Sequence, residues 1–306
     1  MNIFEKINAV QKMQDFIQKH LNEPITLHMI AAEANYSPWH SVRVFKELTG
    51  KTPFDYIRRL RLSKAAIKLR DERIKVVDVA LDFVFDSHEG FTRAFSKEFG
   101  ITPVKYSKSY PPIKLFIPYS IRDHHIIKNN GESKKDQNIK KDSFMTVFVQ
   151  VIERPARKLI LKRGIKAVDY YGYCQEVGCD VWGVLTSIKE ALCEPVGLWL
   201  PEQFRKPGSS IFVQGVEVPF VYDGLVPEGF DIIDLKPCKM MIFQGPPYED
   251  EKFQEAIGRT IETIENYQPE IYGFEWALED GPRFQLAPMG NRGYIEGRPV
   301  RQINVS

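Results

Sequence analysis

Apolar residues in the first third of the chain recur at helical spacing. Leu27, Ile30, Ala31 and Ala34 fall at i, i+3, i+4 and i+7, one face of a helix, behind a Thr26 hydroxyl able to cap its start. Asn35, which tolerates the left-handed conformation, closes that helix. Ser37 then caps a second helix with Pro38 at its first position; Val44, Phe45 and Leu48 turn inward and Gly50 ends it. The same pattern returns with Val76, Val79, Ala80 and Phe83, a Ser87 cap, and an inward face of Phe91, Ala94, Phe95 and Phe99. Between the two, Phe54 to Arg70 is a continuous helical pattern with an apolar stripe of Leu62, Ala65, Ala66 and Leu69.

The recurrence is a repeat at an offset of fifty residues. Ser37, Arg43, Phe45, Gly50, Thr52, Pro53 and Tyr56 return as Ser87, Arg93, Phe95, Gly100, Thr102, Pro103 and Tyr106. Ala31 and Tyr36 return as Ala80 and Phe85 at forty-nine, a one-residue difference in the turn. Each copy is expected to fold as helix, short turn, helix.

Further along, Lys128 to Ser143 holds one aliphatic residue, Ile139, and no periodicity. Such a segment buries too little apolar surface to offset its ordering entropy, and is expected to be a flexible linker. Beyond it, two stretches read as strands ended by glycine, Pro155–Gly164 and Pro237–Gly245. Each leads into a helix, Asp180–Leu192 and Glu251–Tyr267 respectively. Strands are then expected at Val196–Leu200 and Ser210–Val218 in one case, at Ile271–Trp276 and Arg283–Leu286 in the other. The expected architecture is therefore multidomain. An all-α tandem helix-turn-helix domain occupies residues 1–110, a linker 111–143, and an α+β domain of two strand-helix-strand-strand repeats 144–306, its two sheets enclosing a cleft.

Composition adds one asymmetry. The 306 residues carry a net charge of only +2, yet residues 1–110 carry +5, residues 111–143 carry +3 and the remainder −6. A basic front and an acidic back imply that the front meets a polyanion. Polar residues interrupt the N-terminal apolar run and no stretch reaches the ~20 apolar residues of a membrane span, so the expected location is the cytoplasm, without a membrane partner. Cys174, Cys179, Cys193 and Cys238 form no C-x-x-C pair, and neither a metal site nor a cofactor is expected.

A short turn between packed helices leaves one face of the second helix projecting, and such a helix fits the major groove of duplex DNA. The candidates for base contact are Trp39, His40, Val42 and Arg43 in the first copy, and His88, Glu89, Thr92 and Arg93 in the second. Arginine donates two hydrogen bonds to guanine, Glu89 can accept from cytosine N4, and Trp39 and Val42 can touch thymine methyls. Lys46, Lys51, Arg58, Arg59, Arg61 and Lys97 are placed for phosphates, which position the protein without reading sequence.

The segment resembles the DNA-binding domain of the AraC/XylS family over about residues 5–108. The resemblance rests on Asn35-Tyr36-Ser37, Arg43-Val44-Phe45-Lys46, Gly50-Lys51-Thr52-Pro53 and Tyr56, then Val79-Ala80, Phe85, Arg93-Ala94-Phe95, Phe99 to Pro103 and Tyr106. It implies two recognition helices entering successive major grooves, so that one chain reads two half-sites about 10 bp apart. Two positions depart from the family: Val84 stands where Gly is usual, and Ser107 where Arg often follows the closing Tyr.

In the rear domain the aromatic residues Trp182, Tyr222, Tyr248, Phe274, Trp276, Phe284 and Tyr294, with Glu275, are the candidates to line the cleft. The stretches Asp180-Val181-Trp182, Gly215 to Val218, Val226 to Gly229, Gly245 to Tyr248 and Gly293 to Glu296 resemble the GyrI-like effector-binding domain. That resemblance implies a pocket for amphipathic or cationic organic molecules flanked by aromatics, with a carboxylate inside. Gln285 stands near the place of that carboxylate, leaving Glu275 or Glu217 to supply the charge. The expected function is transcriptional regulation through double-stranded DNA, with a small-molecule effector altering how the front domain engages DNA or RNA polymerase. The alternatives are a rear domain that hydrolyses small molecules, with a Glu and a Tyr as base and acid, or one that sequesters drugs. No G-x-S-x-G, H-E-x-x-H or P-loop supports catalysis, and no catalytic residue is assigned.

Overall fold

The computed structural model describes residues 2–121, 146–178 and 180–303. Most of the segment expected as a linker, and Cys179, lie outside them. The chain divides into two compact units, Met1–Lys135 with Ser187–Lys189, and Asp136–Thr186 with Glu190–Ser306.

The first unit is built of helices α1 (Ile3–Lys19), α2 (Leu27–Glu33), α3 (Pro38–Thr49), α4 (Pro53–Asp71), α5 (Val76–Asp82), α6 (His88–Phe99) and α7 (Pro103–Ser109). Their ends follow from local chemistry. Thr26, Ser37, Thr52, Ser87 and Thr102 each accept a backbone N–H from the first turn they precede. Gly50 and Gly100, at φ +73 and +72, end α3 and α6 in the left-handed conformation that a Cβ disfavours. The turn before α3 is made by Asn35 at φ +54, and the turn before α6 by Val84 at φ +60. Ile30, Phe45, Leu62, Val79, Phe91 and Phe95 meet in one core. α1, whose Asn2 and Glu5 form a capping box, adds Val10, Met13 and Ile17 to it.

Residues 111–121 correct the expected linker boundary. Ile113, Leu115 and Ile121 are buried in the helical core. The backbone N–H of Phe116 donates to Ser63 Oγ at 2.7 Å, and that of Ile121 to Gln14 Oε1 at 3.1 Å. The cause lies in composition: Ile113, Leu115, Phe116 and Ile117 make this stretch apolar, whereas the strongly polar run begins later.

The second unit is a single antiparallel sheet of nine strands. They are β1 (Phe148–Arg154), β2 (Arg157–Arg163), β3 (Val196–Trp199), β4 (Phe212–Pro219), β5 (Asp231–Leu235), β6 (Cys238–Gln244), β7 (Phe274–Trp276), β8 (Arg283–Gln285) and β9 (Ile295–Gln302). Outward from the central pair β8–β3, the order is β9, β6, β1 on one side and β4, β2, β5 on the other, with β7 also paired to β9. Two separate sheets were the expectation; the β3–β8 ladder, Gly197 opposite Gln285 and Leu198 opposite Phe284, joins them into one. The helices are α8 (Tyr170–Val177), α9 (Val181–Thr186) and α10 (Phe253–Glu265). The helix expected at Asp180–Leu192 is thus confined to α9 among the described residues, and α8 precedes it.

Opposed residues in a ladder share a face. One face carries Leu159, Leu161, Val196, Leu198, Val213 and Leu235 as a core of its own. On the other, Ile257, Ile261 and Ile264 of α10 pack on Val149, Val151, Met241 and Phe243. Tyr173 of α8 meets the Phe212 ring of β4, 5.7 Å between centroids, on that same face at the other end.

Candidate functional site

Helices α3 and α6 are both twelve residues long, and both begin after a serine cap and a left-handed turn. Equivalent positions therefore have equivalent phase. Trp39, Arg43 and Lys46 are exposed on α3, and Glu89, Arg93 and Lys97 on α6, while Val44 and Phe45, or Phe91 and Phe95, fill the opposite side. Trp39 is 88% exposed, an unusual state for the largest apolar side chain. Arg43 Nη2 lies 3.2 Å from His40 Nδ1, and the His40 ring packs edge-on to Tyr36 with centroids 4.6 Å apart. With Nδ1 unprotonated, the imidazole accepts from the guanidinium and holds it along the exposed side of α3.

The remaining candidates divide by what surrounds them. Val42, His88 and Thr92 are half-buried, and the Thr92 hydroxyl is turned inward with no hydrogen-bond partner among the described residues, so that residue does not present its oxygen outward. Arg59, expected at the phosphates, is half-exposed and engaged in ion pairs of its own. Its guanidinium pairs with Asp55 at 3.1 Å and with Glu98 of α6 at 2.8 Å, tying α4 to α6 instead of facing solvent freely. Arg61 donates to the backbone carbonyls of Leu21 and Glu23, and Arg58 to Asp55. Lys46 and Lys97 stay exposed.

On the sheet unit, the register redistributes the expected pocket residues. Phe284 lies on the face of the Leu198 core and packs there. Glu275 is exposed and stands opposite Arg301, on the reverse side of its strand from Phe274 and Trp276. Trp276 packs near Phe243 with the Arg298 guanidinium 5.6 Å from its ring, and Tyr248 packs edge-on against Phe253. Tyr222 is buried in the loop after β4, donating its hydroxyl to the Leu225 carbonyl. Trp182 is half-buried on α9. Glu217 is buried between Arg154 and Arg157, the latter at 2.8 Å, on the Phe284 side. These residues do not form one constellation.

A set that shares only Tyr294 with the expected aromatics does. On the helix-bearing face, Gly197 of β3, Gln285 of β8 and Glu296 of β9 stand in one cross-strand row, with Trp199, Arg283 and Arg298 beside them. Glu296 is fully buried. One of its oxygens receives Arg298 Nε at 2.6 Å and has Arg283 Nε at 2.7 Å; the other receives Arg283 Nη2 and the Tyr294 hydroxyl, each at 2.9 Å. Burial, followed by the adjacent Glu296 charge, pushes the Tyr294 phenol well above its ordinary pKa, so it remains a proton donor. Glu265 of α10 closes the outer side of the network on Arg298 at 2.5 Å, and that hydrogen bond holds its carboxyl below the usual range. The Arg283 guanidinium lies 4.2 Å over the Trp199 ring. Alternation of Tyr294, Glu296 and Arg298 was the available sequence signal, obscured by Gly297 and Pro299, which suggest a loop.

Comparison with known proteins places the helical part. The family described as a helix-turn-helix domain matches residues 30–109. The transcriptional regulator Rob of Salmonella typhimurium is 36% identical over 131 residues, 40% of this chain and 45% of that protein. The right origin-binding protein of Escherichia coli is 39% identical over 119 residues, 36% of this chain and 41% of that protein. The regulatory protein SoxS of Salmonella typhimurium is 34% identical over 97 residues, 32% of this chain and 91% of SoxS. Among solved structures, the DNA-binding domain of AdpA in complex with a target DNA aligns at a TM-score of 0.32 and 25% identity, over 33% of this chain and 92% of that one. The similarity thus spans less than half of Rob and of the origin-binding protein, but nearly all of SoxS. The chain belongs to the AraC family of helix-turn-helix DNA-binding regulators. Among the described residues, no helix is long and apolar enough to cross a membrane.

Proposed function

We propose that this protein is a sequence-specific DNA-binding transcriptional regulator that reads two half-sites with α3 and α6, and whose acidic second unit binds a small organic effector. The observation that carries the DNA part is the shared phase of Arg43 and Arg93, each the sixth residue of an equally capped helix and each exposed. In this proposal Arg43 and Arg93 donate to guanine, Trp39 and Val42 contact thymine methyls, and Glu89 accepts from cytosine. His40 and His88 flank those contacts, Thr92 offers its methyl, and Lys46 and Lys97 meet phosphates. The names of Rob and SoxS, a transcriptional regulator and a regulatory protein, agree with this function. The GyrI-like motifs support the effector part, with RNA polymerase as the partner through which regulation acts. An anisotropy titration with the DNA upstream of the protein's own gene, against random duplex at fixed salt, tests the proposal. A preference of a thousandfold or so is expected for a specific binder, and equal affinities would refute it.

A further inference from the structure

Arg43 and Arg93 hold the same place in their helices but have different neighbours. Three residues before Arg43 stands His40 and four after it Glu47; at those offsets Arg93 has Gly90 and Lys97. Side chains three and four apart share a helix face, and an arginine followed at that distance by a glutamate can close on it as an ion pair. Here the carboxylate is turned elsewhere. Glu47 Oε1 takes Lys6 Nζ of α1 at 2.6 Å, while Arg43 Nη2 points the other way along α3, to His40 Nδ1 at 3.2 Å. The Lys6 hydrogen bond holds the Glu47 carboxyl below its usual range, helped by the Arg43 and His40 charges, so carboxylate and guanidinium stand within each other's field. Arg43 and Glu47 are exposed and Lys6 is half-buried.

Resting on the proposal that Arg43 reads a guanine, we infer that Lys6 is a positioning residue for the first half-site: by occupying Glu47 it leaves the Arg43 guanidinium to the base. Guanine recognition uses two donors of the guanidinium fork at once, and a carboxylate closed on that fork would have to be displaced first. The α6 helix has no need of such a clasp, because Lys97 stands where α3 has Glu47.

The test is the preference of the full-length protein for the duplex upstream of its own gene over random duplex, read by anisotropy at fixed salt. Lys6→Met is expected to lower that preference about threefold, within the range of an exposed ion pair, because the released carboxylate competes for Arg43. Glu47→Gln should keep the wild-type preference, and Lys6→Met combined with Glu47→Gln should restore it. In an Arg43→Ala background, Lys6→Met should lower the preference no further. An undiminished preference in Lys6→Met would overturn the inference, as would a double variant that stays low. Equal losses in Lys6→Met and Glu47→Gln would overturn it too, reducing the ion pair to a clamp between α1 and α3. Failure of the underlying reading is separate: a wild-type protein with no preference between the two duplexes refutes base recognition by Arg43, whatever the Lys6 variants do.

Discussion

Val84 and Asn35 occupy the same place in successive turns, at φ +60 and +54, but only one of them suits it. A β-branched residue in the left-handed region costs about 1–2 kcal/mol, whereas asparagine tolerates it. Val84→Gly should therefore raise the urea midpoint of the helical unit at unchanged slope. The gain should be on the order of 0.5–1 kcal/mol after the flexibility that glycine adds to the unfolded chain. Asn35→Val should lower it by a similar amount; a fall with Val84→Gly would show that side-chain packing outweighs the strain. At α3, the His40 imidazole restrains Arg43. Arg43→Ala is expected to cost about 1–3 kcal/mol at a matched site and little on random DNA. His40→Ala should give a smaller loss with the same selectivity. Equal losses on both DNAs in either variant would place Arg43 on the backbone instead.

Elements, unlike single positions, were legible where one face was buried by one regular partner. The caps Thr26, Ser37 and Ser87, the glycine stops and the helical stripe of α4 all appear in the sequence because they act within a turn or two. The sheet was harder. β9 escaped recognition because Gly297 and Pro299 interrupt it. Gly297 is required by the Phe284 ring, whose Cε1 would lie 2.3 Å from an added Cβ. Pro299 is tolerated because its carbonyl accepts from Ala277 N, on the side where β9 passes from β8 to β7. The nitrogen of an extended residue points the same way as its carbonyl, so the missing donor faces that break rather than β6. Arg59 illustrates the converse, an arginine whose ion pairs with Asp55 and Glu98 the sequence did not announce. Arg59→Ala removes a guanidinium partner from Glu98, whose side chain is 12% exposed. It should lower the melting temperature of the helical unit while leaving the salt dependence of DNA binding unchanged. Lys46→Ala should do the reverse, reducing the slope of log affinity against log salt by about 0.9, one phosphate contact. In the sheet unit, the Arg298 hydrogen bond depresses the folded pKa of Glu265. Its stabilising contribution is therefore present above the ordinary carboxylate range and disappears as pH falls through the depressed value. Glu265→Gln should flatten the acid limb of the unit's stability curve; an unaltered limb would mean that the ion pair contributes nothing.

At the scale of the whole molecule, the charge is uneven, +5 over residues 1–110 and −6 over 144–306, and the proposed regulation of DNA binding is a question of linkage. If an effector on the sheet unit changes DNA affinity by some factor, bound DNA must change effector affinity by the same factor, whatever route connects the two. Couplings of this kind commonly amount to about 5–150-fold. The expected result is that effector affinity, measured on the full chain with and without a saturating matched duplex, shifts by the factor found in the DNA titration. Random duplex at the same charge concentration supplies the control, because it loads the basic surface without engaging Arg43 and Arg93 as readers. A shift with matched DNA alone ties the effector to the sequence-reading state of α3 and α6. Equal shifts with both duplexes reduce the coupling to electrostatics between bound DNA and the acidic unit. No shift, with effector and DNA each binding, separates the two activities and rules out regulation by the effector through DNA affinity.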